Sequence, residues 1–127
     1  MNRELIGPRP DANFSQAVRV GNIIHVAGQV AMNESREFVG EGDAEAQARQ
    51  CFANLARVLG AAGASIDDVV KVTAFLVGTE HYAGYAAAKK EYLPTALPAG
   101  TAVIVAGLMD PRFLIEIEAV AVVPSDG

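Results

Sequence analysis

Two carboxylates, Glu116 and Glu118, interrupt the otherwise apolar run LIEIEAVAV near the end of the chain. Residues two apart in a strand project from the same face, with Cβ atoms roughly 6.5–7 Å apart. Carboxylates at that separation can serve as an acid/base pair. Burying either one charged and unpaired costs several kcal/mol, so each requires a cation, a hydrogen-bonded partner or a raised pKa. Lys71, in VVKVTAF, is the expected strand-to-strand partner of Glu118. Glu116 lies deeper in the apolar run and stays open between such an ion pair and a role in chemistry.

The other reactive side chains read as structural. His25 in IIHVAGQ alternates with Ala27 and Gln29 and is expected to be a hydrogen-bonded core or interface histidine. His81 falls in the first turn of a helix, where the dipole disfavours its charged form, and reads as surface. Cys51 belongs to an apolar helix face and is expected to be a small core residue rather than a nucleophile. With two His and one Cys there is no metal-ligand spacing, so no metal is expected. The phosphate-cradling patterns GxGxxG and GxxxxGK[ST] are absent.

The elements that position these residues follow from periodicity and turn chemistry. SQAVRVGNIIHVAGQ reads as a hairpin around Val20-Gly21-Asn22. A polar loop from Met32 to Gly42, with room for one short strand, leads to Asp43, a good N-cap with Glu45 in the first turn behind it. Ala48, Cys51, Phe52, Leu55, Val58, Leu59 and Ala62 then recur at helical spacing, with Glu45, Arg49, Asn54 and Arg57 on the opposite face and Gly60 or Gly63 as the stop. A strand spans about Val69 to Val77, and Thr79 caps a second helix ending near Leu93. Tyr82, Tyr85, Ala86, Lys89, Tyr92 and Leu93 share one face of that helix, which places an ammonium within an aromatic stripe; the tyrosines read as packing. LPTALPAG breaks the chain, and TAVIVAGL and FLIEIEAVAV are two further strands joined by MDPR. The order ββ(β)αβαββ predicts an α+β fold, with helices packed on a sheet.

At 127 residues the chain is about one domain, with residues 1–12 as an N-terminal extension. A net charge of -5, from ten basic and fifteen acidic residues scattered along the chain, argues against a nucleic-acid partner. The single cysteine and the lack of a signal-like apolar core in MNRELIGPRP predict a cytoplasmic location, and no apolar run approaches the roughly 20 residues of a membrane helix. The last two strands pose a packing problem. Val103 and Val105 on one face, and Ala102, Ile104 and Ala106 on the other, are all apolar; Phe113, Ile115 and Ile117 likewise oppose Leu114, Val120 and Val122. Strands apolar on both faces are normally covered on both, and two helices cover one. Self-association is expected to cover the other, the alternative being the Met32 to Gly42 loop folded across it.

Three stretches, FSQAVRVGNIIHVAGQV, ARQCFANLARVLGAAGASIDDVVKVTAFL and IEIEAVAV, together resemble the RidA/YjgF family, also described as endoribonuclease L-PSP-like. The resemblance implies a chorismate-mutase-like fold of the bacillus type, with two helices on one face of a mixed sheet. It also implies a homotrimer whose sheets form an inner barrel and whose small-molecule clefts lie between subunits. Well-studied members hydrolyse reactive enamines and imines, such as 2-aminoacrylate, to a keto acid and ammonia without a cofactor. Their P-A-R arginine clamps the substrate carboxylate through a planar bidentate fork. Here the matching residues are Pro98-Ala99-Gly100, and the arginine is gone.

Other matching positions also depart: Phe14 replaces a tyrosine, Ala27 a serine and Ala102 a cysteine, while an asparagine common in the second helix falls near Ala86. Glu116 is retained, and the resemblance implies that it positions or activates water. The implied substrate-binding set is Phe14, Ala27, Gly28, Gly100, Thr101 and Arg112, with backbone amides around Gly28 and Gly100 able to hold an oxyanion or carboxylate. Arg112 and Arg9 are the candidate replacement cations. Three readings compete: hydrolysis of a small enamine, imine or related C–N substrate; a non-catalytic trimer that binds a metabolite or a partner protein; and an endoribonuclease or translation inhibitor, which sits badly with the acidic chain.

Overall fold

Gly21, at φ 62, reverses the chain between strands β2 (Phe14–Val20) and β3 (Ile23–Gln29), as the Gly-Asn pair predicts. The computed structural model describes residues 2–124. A strand β1 (Arg3–Arg9) precedes the hairpin and pairs antiparallel with β2, so the segment read as an N-terminal extension contributes to the sheet. Helix α1 (Ala44–Ala61), strand β4 (Val69–Leu76), helix α2 (Tyr82–Tyr92), and strands β5 (Ala99–Ile104) and β6 (Ile115–Val122) follow. All six strands form one sheet in the order β1-β2-β3-β6-β4-β5. It is mixed: β5 runs parallel to β4, while the other pairs are antiparallel. The parallel pair requires a crossover, and α2 supplies it.

Asp43 caps α1 as its type predicts, its side chain accepting from Ala46 N at 3.0 Å. The apolar face of α1 is buried at every position expected, from Ala48 to Ala62. It packs against Ile115, Ile117, Ala119 and Ala121 of β6, and its Phe52 stacks on Tyr85 and Tyr92 of α2. Burying each large apolar side chain contributes about 1.5–3 kcal/mol.

Asn54 is not on the solvent side of α1. It is buried and donates to Val30 O and Met32 O at 3.0 and 2.9 Å, holding the start of the 30–42 loop. Gln47, also fully buried, donates to Gly40 O and Arg112 O and accepts from Leu114 N, all within 2.8–3.0 Å. These two amides tie the loop to α1, and it does not cover the opposite sheet face. In place of a strand it forms a bridge between Met32 and Phe38. Thr79 does not cap α2; it opens a 3₁₀ turn over Thr79–His81, and α2 begins without a side-chain cap.

The face of the sheet away from the helices stays open, with Ile23, Val70, Val103 and Glu118 exposed on it. β5, an edge strand, is exposed along its whole length.

Candidate functional site

Alternation along β6 turns Ile115, Ile117 and Ala119 toward the helices and Glu116 and Glu118 toward the open face. On one side Glu116 faces Phe75 of β4. On the other, the pairing of β3 with β6 slips between Val26 and Gln29, so that Ala27 and Gly28 together oppose the single residue Glu118. This bulge brings the Gly28 backbone against the Glu116 carboxyl. A Cβ at position 28 would lie 2.8 Å from Glu116 Cδ and would collide with the carboxylate itself. Glycine is therefore what lets the acid lie on the strand here.

Among the described residues no Lys, Arg or His makes an ion pair with Glu116 or Glu118. Burial raises the Glu116 pKa above the usual carboxylate range, and the Glu118 charge raises it further. The expected Lys71–Glu118 pair does not form. Thr73 faces Glu118 while Lys71 faces Val120, and Lys71 Nζ donates to Thr101 Oγ1 at 2.6 Å. Of the two readings of His25, core or interface, the core one fails. It is exposed on the open face opposite Val120, and with Ser15, Ala27 and Glu118 it lines a groove of about 300 Å³. His81 lies before α2, its Nε2 3.5 Å from Glu80. Cys51 is fully buried beside Ile115 O, and burial followed by the Glu116 charge pushes its thiol pKa up, as befits a core residue.

The substrate-binding residues expected from the sequence divide among several places. Gly28 and Phe14 line a cleft of about 340 Å³, which Arg9, Arg36, Asn54 and Arg57 also border. Ala27 and Thr101 belong to the open face. Gly100 pairs with Val72, whose side chain points to the helices, and so lies on the opposite side from Glu116.

Neither proposed arginine stands free. Arg112 is held by Asp110 through Nε and Nη2 at 3.1 and 2.9 Å, with its guanidinium 4.4 Å from the Phe38 ring centroid. The same contact pushes the Asp110 pKa down to about 2. Arg9 does border the Phe14 and Gly28 cleft, but pairs with Asp11 at 3.1 Å. The cation that reaches Gly100 is Lys89 of α2: a Cβ on Gly100 would stand 2.6 Å from Lys89 Nζ. Its place among tyrosines at helical spacing was the available signal. Among the described residues no cluster of three His, Cys, Asp or Glu could hold a metal ion, and no helix is long and apolar enough to cross a membrane.

Comparison with known proteins places this geometry among relatives. Residues 6–123 match the family model described as endoribonuclease L-PSP. A RutC family protein of Pyrococcus abyssi is 39% identical over 115 residues, 90% of this chain and 89% of that protein. A 2-iminobutanoate/2-iminopropanoate deaminase of Dermatophagoides farinae is 34% identical over 118 residues, 93% of this chain and 91% of that protein. The crystal structure of RidA from an Antarctic Psychrobacter species superposes with a TM-score of 0.80 at 36% identity, covering 87% of this chain and 88% of that one.

Proposed function

The chain belongs to the endoribonuclease L-PSP family, the RidA/YjgF proteins, and on that premise we propose that it hydrolyses a small imine or enamine to a carbonyl compound and ammonia. The observation that carries this reading is the Glu116 carboxyl, packed on the Gly28 backbone without a cation and with a raised pKa. A salt-bridged carboxylate is stabilised as the anion and gives up basicity. One destabilised as the anion is a better base and, once protonated, remains available as an acid nearer neutral pH.

Hydrolysis uses both forms. Glu116 as carboxylate takes a proton from water while the oxygen adds to the C=N carbon, and passes that proton to the nitrogen, giving a neutral carbinolamine. It then takes the carbinolamine hydroxyl proton and delivers it to the nitrogen as the C–N bond breaks, so that ammonia leaves and the C–O bond becomes a carbonyl. The sum is imine plus water to carbonyl plus ammonia, and no cofactor is consumed.

The same premise supports a homotrimer in which the open sheet face is buried and clefts form between subunits, while the net charge of -5 supports a protein that engages no nucleic acid and the single cysteine a cytoplasmic one. The test of the catalytic reading is ammonia release from imines generated in situ by an amino-acid oxidase. Wild type is expected to accelerate release over buffer, and Glu116→Ala to lose about 10²-fold or more of that rate, as befits a positioned acid/base. No acceleration on 2-aminoacrylate or on branched, aromatic and acidic imines would overturn it. The second reading, a trimer that binds a metabolite or a partner without turning it over, would then lead; Phe14, Ala27, Gly100 and Ala102, which bring no polar side-chain group to their positions, favour it.

A further inference from the structure

Glu118 follows Glu116 by two residues on the open face of β6, so the two carboxylates share one side of one strand, with Cβ atoms roughly 6.5–7 Å apart. Directly across from Glu118 stand uncharged groups: Thr73 of β4 on one side, and Ala27 and Gly28 of the β3 bulge on the other. The bases come one pair further along, where His25 of β3 and Lys71 of β4 both flank Val120. β5 brings no titratable side chain to this face, and from α1, beneath the sheet, the Cys51 thiol approaches Glu116.

Diagonal neighbours on adjacent strands lie about 7–8 Å apart, a gap that a long side chain spans. Lys71 has two such neighbours on the open face, Glu118 of β6 and Thr101 of β5, and it takes the neutral one. Its Nζ donates to Thr101 Oγ1 at 2.6 Å, and among the described residues neither Glu116 nor Glu118 makes an ion pair. Elsewhere the chain behaves differently: Arg9, Arg49 and Arg112 each hold a carboxylate within 3.1 Å. Two adjacent acids are thus left bare with a lysine in reach.

We infer that Glu118, Lys71 and Thr101 are a charge-setting unit for Glu116: Thr101 holds the Lys71 ammonium off Glu118, and the Glu118 carboxylate, left without a cation, disfavours the anion of Glu116. The inference deepens the proposed function, on which its catalytic meaning rests. Glu118 acts through Glu116 as a positioning residue and touches no reacting atom. The raised pKa of Glu116, caused first by burial and then by Glu118, agrees with this. Were Lys71 to pair with Glu118, their charges would cancel beside Glu116, and Glu116 would be the weaker base.

The test follows the Glu116 carboxyl by carbon-13 NMR of the intact chain labelled at glutamate Cδ, with Glu116→Gln identifying its signal and melting temperature as a check on folding. Glu118→Gln is expected to lower the midpoint of the Glu116 titration by about half to one pH unit, the size of an interaction between charges at this separation in a partly solvated site. Thr101→Val, which removes the acceptor of Lys71, is expected to lower it as well. Adding Lys71→Met to Thr101→Val is expected to bring the midpoint back to the wild-type value or above it. His25 is unchanged throughout, so its titration is common to every protein compared. In imine turnover the acid limb of kcat/KM is expected to move to lower pH in Glu118→Gln, in step with the NMR midpoint, which a merely structural role would not produce.

An unchanged midpoint in Glu118→Gln, the result expected if a partner subunit supplied Glu118 with a cation, overturns the inference. A midpoint unmoved by Thr101→Val overturns the part given to Lys71 and Thr101. Shifted midpoints without imine turnover support the charge setting and defeat the catalytic reading, while turnover with an unmoved midpoint does the reverse, so the two fail separately.

Discussion

Because burial and the neighbouring Glu118 both favour the protonated form of Glu116, the folded chain holds this proton to higher pH than the unfolded chain does. The unfolded state then binds fewer protons between the two pKa values, so stability falls as pH rises through that window. Glu116→Gln removes the penalty. Its melting temperature is expected to exceed that of wild type at neutral pH, with the gap closing below about pH 4, where the carboxyl is protonated in both states. Thermal melts of the two proteins from pH 3.5 to 7.5 check this, and a constant gap would show that the shift lies elsewhere. At this scale the sequence was half legible. Alternation in LIEIEAVAV placed both acids on one face, but the partner assigned to Glu118 depended on cross-strand register. Lys71 stands one pair away, and Thr101, thirty residues on, takes its ammonium. The sequence offers Arg112 and Arg9, near strand ends, as replacement cations, whereas Lys89 approaches Gly100 from a helix. Such a meeting is set by the crossover and not by sequence distance.

Elements were read well wherever their cause was local. The hairpin at Gly21 and the Asp43 cap both rest on residues within a few positions of one another, as does the apolar stripe of α1. Three features had non-local causes and escaped. β1 carries Gly7 and Pro8 and lacks clean alternation, and it exists because β2 offers it an edge. Thr79 had a capping side chain but lies a 3₁₀ turn too early. Gln47 and Asn54 are polar residues buried by their carbonyl partners in distant segments, which periodicity cannot reveal. Gln47 in particular joins α1, the end of the 30–42 loop and the approach to β6 through three hydrogen bonds. Gln47→Leu keeps the bulk and leaves buried backbone groups unpaired, and it is expected to cost about 2–4 kcal/mol. Urea unfolding followed by circular dichroism measures this; a cost under about 0.5 kcal/mol, the usual range for a surface change, would mean that water replaces the amide.

For the molecule as a whole, the question raised by strands apolar on both faces returns as an exposed surface. Helices cover one face, the loop expected as an alternative cover is tied to α1, and Ile23, Val70 and Val103 remain in water on the other. An exposed edge strand such as β5 is usually blunted or paired in stable proteins. Light scattering on the purified chain is expected to give three times the monomer mass, and a monomer would remove both the trimer and the clefts between its subunits. Fold class was legible because it follows from element order. Which surfaces meet was legible only as an excess of apolar side chains, since sequence alternation counts faces without saying what lies across them. Cys51 carries a separate consequence. Only the thiolate reacts readily with disulfide or alkylating reagents, and this sulfur is sealed between α1 and β6, where burial and the Glu116 charge both suppress ionisation. Modification then has to wait until the two elements part. The chain thus contains its own stopwatch for opening: the rate at which a thiol reagent marks its single cysteine counts excursions of the core, with no foreign label introduced.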